Sequence, residues 1–303
     1  MRIGVIGMGK VGASVAMALL ARGVVRELYL HDLNAARAEG EALDLAHGAP
    51  FLRTTTVRAV SLGELYDCDA VVIAAGRNGK PDESRLALLQ DNAGVARSIG
   101  GQLRHYRGLL VMVTNPVDVL TQVLLEASGL PPARVLGTGT LLDSARMRLT
   151  LGHELGVAPQ SVHMHVLGEH GDSQVAAFSS ASVGGVALRA WPGWDRAREP
   201  VLAAEVRNAA AQIIERKGAT NHAIGLATAY LLKWALGDEQ RVITVSRWQE
   251  GRAGISGLCI SLPAIVGREG ATLVLEPALD ELELAALHAS AAVLKKASAS
   301  LAS

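Results

Sequence analysis

Four short stretches of this 303-residue chain combine residue types that could do chemistry. The first is GVIGMGKVG, where Gly7, Gly9 and Gly12 keep a G-x-G-x-x-G spacing, with Met8, Lys10 and Val11 between them. Gly7 permits a tight turn, Gly9 lets backbone approach a pyrophosphate, and Gly12 lets the following helix pack close to its strand. That helix would offer the unpaired N–H groups of its first turn to phosphates. The spacing alone is a weak signal. Asp32, 20 residues after Gly12 at the end of the next strand-like run, sits where an acid grips the adenine ribose hydroxyls. An acid there also repels a 2′-phosphate, so the expected dinucleotide is NAD and not NADP.

The second stretch, VLGEHGDS, holds His170, and the third, TGTLLDSARMR, holds Asp143 and Arg146. A spacing of three puts that acid and base on adjacent turns of one helix face. Taken singly, a lone histidine is usually structural, and the pair reads equally well as a solvated ion pair. The fourth, RNGKPDESR over residues 77–85, mixes Gly79 and Pro81 with five charged side chains. It is either an ordinary solvated loop or a lid that carries charge onto a ligand. His163 and His165 alternate around Met164 as on a strand and with His170 could suggest ligands, yet no metal site is expected.

These residues need elements to position them. RIGVIG, ELYLHD, DAVVIAAG and LLVMVTNP are too short for helices and rich in Val, Ile and Leu, with TTTVRAV and ARVLG as weaker companions. Near-continuous apolar runs of this length suit strands buried on both faces of a parallel sheet. Helical patterns lie between them, two of which end at Gly23 and Gly129 as C-terminal caps. Strand and helix in alternation predict an α/β fold, a Rossmann-type doubly wound parallel sheet over residues 1–139. Over residues 140–303 the pattern shifts to longer helical stretches (141–156, 196–217, 221–236 and 280–301) flanking RVITVSRW, GLCISLPAIVG and ATLVLEP. That predicts an α+β second domain with no obvious linker. The Ala/Ser-rich tail is low in complexity, but its leucines and alanines fit a packed helix.

Composition narrows the partners. Half the residues are hydrophobic and 19% are charged, as in a globular protein with a large core. The 29 basic and 29 acidic side chains balance, with no basic stripe, which argues against nucleic acid or an anionic membrane surface. The opening MRIGVIGMGK lacks the pattern of a secretory signal, and no run of about 18 apolar residues could span a bilayer. Two isolated cysteines, Cys68 and Cys259, read as buried free thiols, so a cytoplasmic location is expected.

Taken together, the glycine loop, AAGRNGKPDESR, VTNPVDV, GTGTLLDSARMR, VLGEHGDS and KGATNHAIG resemble the L-lactate/malate dehydrogenase family, in order and over almost the whole chain. The resemblance implies NAD and hydride transfer to or from a small 2-oxo or 2-hydroxy acid. It implies His170 as acid/base, Asp143 as its partner and Arg146 as the clamp on the substrate carboxylate. Arg85 would polarise the carbonyl from a closing lid, Asn115 would hydrogen-bond near substrate and nicotinamide, and Thr220 would line the pocket. Gly76 joins the glycine loop, with its Met8, Lys10 and Val11, and Asn115 on the cofactor side. The residue types suit that chemistry in their own right. An imidazole can take or give a proton near neutrality, and a carboxylate beside it favours imidazolium. A guanidinium grips a carboxylate through two parallel hydrogen bonds.

Gly79 stands where similar lactate enzymes carry Gln and similar malate enzymes carry Arg, while Glu83 matches the lactate type. Pyruvate/L-lactate is therefore the expected couple, with malate and bulkier 2-hydroxy acids as rivals. A glycoside hydrolase using NAD, or a non-catalytic NAD-binding protein, is the rival of another class. The resemblance also implies a homotetramer or dimer. Arg148 and His163 match positions that bind fructose 1,6-bisphosphate in activated bacterial relatives; an allosteric site and two ordinary helix and strand residues both stay open.

Overall fold

The computed structural model describes residues 1–52, 55–77 and 85–301. All six apolar runs of the first half form strands: β1 (Arg2–Ile6), β2 (Glu27–His31), β3 (Thr56–Ala59), β4 (Ala70–Ile73), β5 (Leu109–Met112) and β6 (Val135–Gly137). They pair in parallel in the order β3-β2-β1-β4-β5-β6. Helices α1 (Lys10–Ala21), α2 (Ala35–His47), α3 (Arg85–Gln102) and α4 (Val117–Ser128) make the crossovers. β4 and β5 are buried at every residue, as strands covered on both faces must be. The strand order reverses between β1 and β4, and ligands of such sheets bind beyond the strand ends at that point. α4 stops at Gly129 with φ +65°, a left-handed cap that glycine adopts without a Cβ penalty.

The second half supplies α5 (Leu141–Leu155), α6 (Arg198–Lys217), α7 (His222–Leu236) and α8 (Glu281–Ala299). It also supplies five two-residue strands, β7 (Val162–His163), β8 (Val166–Leu167), β9 (Val175–Ala176), β10 (Ser182–Val183) and β11 (Val186–Ala187), too short to leave a periodic trace. Its three longer strands, β12 (Arg241–Glu250), β13 (Ser256–Gly267) and β14 (Gly270–Val274), form an antiparallel run. They do not form a separate sheet: β12 pairs with β6 through Ser246 and Gly137, extending the parallel sheet to nine strands. Sequence patterning finds strands but not neighbours this far apart in the chain. A second apolar cluster (Met147, Leu151, Val162, Val166, Phe178, Leu202 and others) fills the space under α5 and α6. The low-complexity tail is α8, which buries Leu287, Ser290, Ala291 and Leu294. Among the described residues no helix is long and apolar enough to cross a membrane.

Candidate active site

The glycine loop leaves β1 and enters α1 at the reversal point. Gly7 has φ +94°, and a Cβ there would lie 2.4 Å from the Ala75 nitrogen. A Cβ on Gly12 would lie 1.8 Å from the Gly7 carbonyl oxygen, whereas one on Gly9 would meet nothing within 4 Å. Two glycines therefore let backbone pack against backbone, and the middle one leaves open space. The N-terminal turn of α1 has no side-chain cap and no acidic residue, so the N–H groups of Lys10 and Val11 face no carboxylate of their own turn. Met8 stands between Gly7 and Gly9. Its side chain is buried and its N–H donates to Asp32 Oδ2 at 2.7 Å. Asp32 Oδ1 accepts the Asn34 N–H at 2.8 Å, so the carboxylate braces the glycine loop and keeps lone pairs for further donors. These residues fit a dinucleotide: open space at Gly9, unfilled helix donors and a fixed acid at the end of β2.

On the opposite side of the reversal, a Cβ on Gly76 would lie 2.4 Å from Thr114 Cγ2. Asn92 on α3 ties this strand end to the next: its Oδ1 accepts the Arg77 N–H at 2.9 Å, and its Nδ2 donates to the Asn115 carbonyl at 3.3 Å. Asn115 is exposed, and its Oδ1 accepts the Val117 N–H at 3.3 Å. The Asn115–Pro116 bond is cis. Arg85 begins α3, while its side chain and Gly79 and Glu83 lie outside the described residues.

His170, Asp143 and Arg146 come together. Asp143 is in the first turn of α5, where the helix dipole favours a carboxylate. The helix is locked against β8 on both sides of that residue. Thr140 Oγ1 donates to the Val166 carbonyl at 2.6 Å, and Ser144 Oγ accepts the Val166 N–H at 2.9 Å. Val166 lies four residues before His170, so these bonds set the histidine loop across from the acid. His170 Nδ1 is 2.5 Å from Asp143 Oδ2, and Arg146 Nη1 donates to Asp143 Oδ1 at 2.9 Å. The carboxylate is 3% exposed against 24% for the imidazole, so the acid is sealed and the base faces outward. Burial opposes charge on both, but their mutual hydrogen bond and attraction prevail. The imidazole is held above the ordinary histidine value, and Asp143 below the usual carboxylate range with Arg146 assisting. Asp143 is thus the acceptor, Nδ1 carries the proton, and Nε2 is left for a ligand.

Sequence reasoning missed Asp118, although VTNPVDV contains it. It sits in the first turn of α4, fully enclosed, and its Oδ2 accepts the His170 N–H at 2.8 Å. Burial pushes its carboxyl up to about 6, against the pull of Ser246 and the His170 N–H. By strict geometry Asp118 Oδ1 and Ser246 Oγ are both unpaired; the hydroxyl lies near enough to favour the charged form without making a good hydrogen bond.

The remaining expected residues lie elsewhere. Arg148, two residues beyond Arg146 and so about 200° around α5, donates from Nε to the Met164 carbonyl at 3.1 Å. This puts it beside the strand of exposed His163. Next to them the half-buried His165 is pulled down to about 4 by desolvation and by the charges of Arg148 and His163. Thr220 is half-buried in the link between α6 and α7. Its neighbour Asn221 donates from Nδ2 to Ser14 Oγ on α1 at 2.7 Å, tying that link to the glycine-loop helix. Among the described residues no three His, Cys, Asp or Glu side chains could share a metal ion. Cys68 and Cys259 are buried and free.

Residues 1–137 match the family model for the lactate/malate dehydrogenase NAD binding domain, and residues 140–302 match that for the lactate/malate dehydrogenase alpha/beta C-terminal domain. The L-lactate dehydrogenase of Synechococcus sp. (strain JA-3-3Ab) is 42% identical over 302 residues, 98% of each chain. That of Thermus aquaticus is 43% identical over 311 residues, 99% of each. Among solved structures, the minor L-lactate dehydrogenase from Enterococcus mundtii in its ligands-bound form superposes with a TM-score of 0.97 at 38% identity. That match covers 99% of this chain and 98% of the other.

Proposed function

The chain belongs to the lactate/malate dehydrogenase family, and from that premise we propose that it interconverts pyruvate and L-lactate with NAD(H). The observation that carries this reading is one sealed carboxylate, Asp143, bonded on one side to His170 and on the other to Arg146. NAD(H), when bound, supplies or accepts the hydride. Gly7, Gly9, Gly12 and Gly76 would make room for it, Lys10 and Val11 would offer helix N–H groups to its phosphates, and Asp32 would take its ribose hydroxyls.

Arg146 keeps N–H groups beyond the one it gives Asp143, and these would hold the substrate carboxylate. His170 would pass a proton from Nε2 to the carbonyl oxygen during reduction and recover it during oxidation. Asp143 fixes the ring with Nδ1–H inward and favours imidazolium, the proton-donating form. Arg85 would polarise the carbonyl, and its contact would strengthen as negative charge develops on oxygen. Asn115 would bridge towards substrate and nicotinamide, and Thr220 would line the pocket wall.

Substrate choice rests on residues 79 and 83. Without Arg at Gly79, the second carboxylate of oxaloacetate would be enclosed without a partner. Glu83 adds repulsion, so pyruvate is the favoured substrate. Parallel assays of NADH oxidation with pyruvate, oxaloacetate, 2-oxoisocaproate and phenylpyruvate test this: pyruvate should lead, and a preference for oxaloacetate would overturn it.

A homo-oligomer, a tetramer in our reading, is supported by apolar side chains left in the open around α1 and α2. Met17 is 51%, Leu43 61% and Phe51 90% exposed. A cytoplasmic location is supported by the two free cysteines. Arg148 beside His163 supports fructose 1,6-bisphosphate as an effector. Titration of that sugar at subsaturating pyruvate should lower the apparent KM, and an unchanged KM would remove the idea.

A further inference from the structure

We propose that Ser290, on the C-terminal helix α8, is a positioning residue for the proton-transfer histidine, an inference that rests on the role given to His170 above. Three consecutive backbone N–H groups lead into that histidine, and each is held by a different element. The Gly168 N–H donates to the Ser261 carbonyl on β13 at 3.0 Å. The Glu169 N–H donates to Ser290 Oγ at 2.8 Å. The His170 N–H donates to Asp118 on α4 at 2.8 Å. Only one of these three anchors is a backbone carbonyl that strand pairing would supply anyway. The other two are side chains that had to be placed.

Ser290 does more than accept one bond. Its Oγ lies 2.9 Å from Ser173 Oγ, and Ser173 Oγ in turn donates to Glu169 Oε2 at 2.5 Å. The Ser173 N–H also donates to Glu169 Oε2, at 3.3 Å. One hydroxyl on α8 therefore joins residue 169 to residue 173 and closes the loop around His170. Ser290 is fully buried, and a Cβ on Gly168 would lie 2.7 Å from its Oγ. Gly168, at φ +87°, is what lets the loop come this close. A small hydroxyl facing a glycine, in a helix otherwise packed with Leu287, Ala291 and Leu294, is a fit for hydrogen bonding and not for apolar packing.

The consequence falls on one contact. The His170–Asp143 separation of 2.5 Å depends on where the loop backbone sits, and among the described residues no other side chain on α8 hydrogen-bonds to that backbone. Removing the Ser290 hydroxyl leaves the partly buried Glu169 N–H without its acceptor, and the loop must shift or admit water to resolve this. The charged groups around the imidazole among the described residues are Asp143 and Arg146 on α5, Asp118 on α4 and the adjoining Glu169. None of these charges is removed by Ser290→Ala and only Glu169 is linked to it, through Ser173, so a lower titration of His170 together with a lower kcat would report its displacement from Asp143.

The test combines NMR titration of the His170 imidazole in the unliganded protein with steady-state rates of pyruvate reduction. Ser290→Ala should lower the pH at which His170 titrates and lower kcat by about 10-fold, within the range that small misplacements of reacting groups produce. NADH affinity and pyruvate KM should stay within about threefold, because Arg146 and the glycine loop are untouched. Ser173→Ala removes the second link and should move both readouts the same way by less; it serves if Ser290→Ala does not fold. Unchanged titration and kcat in the folded variants, with only a lower melting temperature, would overturn the inference and make Ser290 a packing residue. Full activity in His170→Asn would instead overturn the functional reading beneath it.

Discussion

Asp143→Asn keeps the shape of the central carboxylate and removes its charge. In the protein, that charge is 2.5 Å from His170 Nδ1 and 2.9 Å from Arg146 Nη1, at a side chain 3% exposed. Two unit charges about 4 Å apart at an effective dielectric constant of about 20 interact by about 4 kcal/mol. Part of this survives in a variant whose amide keeps a hydrogen bond to the ring, so a loss of about 2 kcal/mol in stabilising imidazolium is expected, which is about 30-fold in kcat/KM. The amide also cannot serve both neighbours. If its NH2 faces the imidazole, Nδ1 must accept and Nε2 holds the only proton, the wrong tautomer for oxidation. If its oxygen faces the imidazole, the NH2 confronts Arg146 and pyruvate KM rises. The assay is initial rates in both directions from pH 5 to 9. In wild type, reduction should fall as pH rises through the raised value of His170; in the variant that limb should move to lower pH, with oxidation hit harder. A folded variant within threefold of wild type in both directions, with its limb unmoved, would refute the coupling of charge to proton transfer.

Three further outcomes follow from the same geometry. Asp118 has its folded value raised to about 6, so its charged form opposes folding; the penalty is absent below about pH 4, grows between the two values and is full above 6. Asp118→Asn keeps an acceptor for the His170 N–H and can donate to Ser246, so it should match wild-type stability near pH 4 and exceed it at pH 8 by up to about 3 kcal/mol in denaturant titrations. Loss of stability at pH 8 would show that the charge is supported in a way the hydrogen bonds do not reveal. Gly12→Ala puts a methyl 1.8 Å from the Gly7 carbonyl oxygen, and NADH titrated by fluorescence should bind at least about 10-fold more weakly, about 1.4 kcal/mol; unchanged affinity would remove the close-packing argument. Gly79→Arg should narrow or invert a preference for pyruvate over oxaloacetate of at least about 10-fold, measured as the ratio of kcat/KM values. No change in that ratio would mean residue 79 does not face the substrate.

Much of the architecture was legible because buried parallel strands leave unbroken apolar runs: AVVI and LLVM became β4 and β5 without ambiguity. The glycine loop was legible because close packing admits no other residue at Gly7 and Gly12. The site was only half legible. His170, Asp143 and Arg146 were named through motif resemblance, since nothing in the spacing of 143 and 170 places them in contact. That contact depends on Thr140 and Ser144 gripping Val166, polar residues that look like any others on a helix. Asp118 gave no signal because an enclosed carboxylate and a capping one are the same letter. The junction of β12 with β6 was invisible for a related reason: strand partners are chosen by three-dimensional packing, and sequence order carries no trace of it.

That junction also sets a timetable for the newborn chain. When the ribosome has released the first six strands, β6 is paired on one side only and presents an open row of N–H and C=O groups. The edge stays unprotected until Ser246 emerges to meet Gly137. β12 and β13 are joined by a short turn and can pair with each other as soon as both exist, since local contacts form fastest. A ready-made ribbon can therefore complete the sheet at its exposed flank. Any pause in synthesis between residues 137 and 246 lengthens the interval in which two unfinished molecules can pair with each other instead.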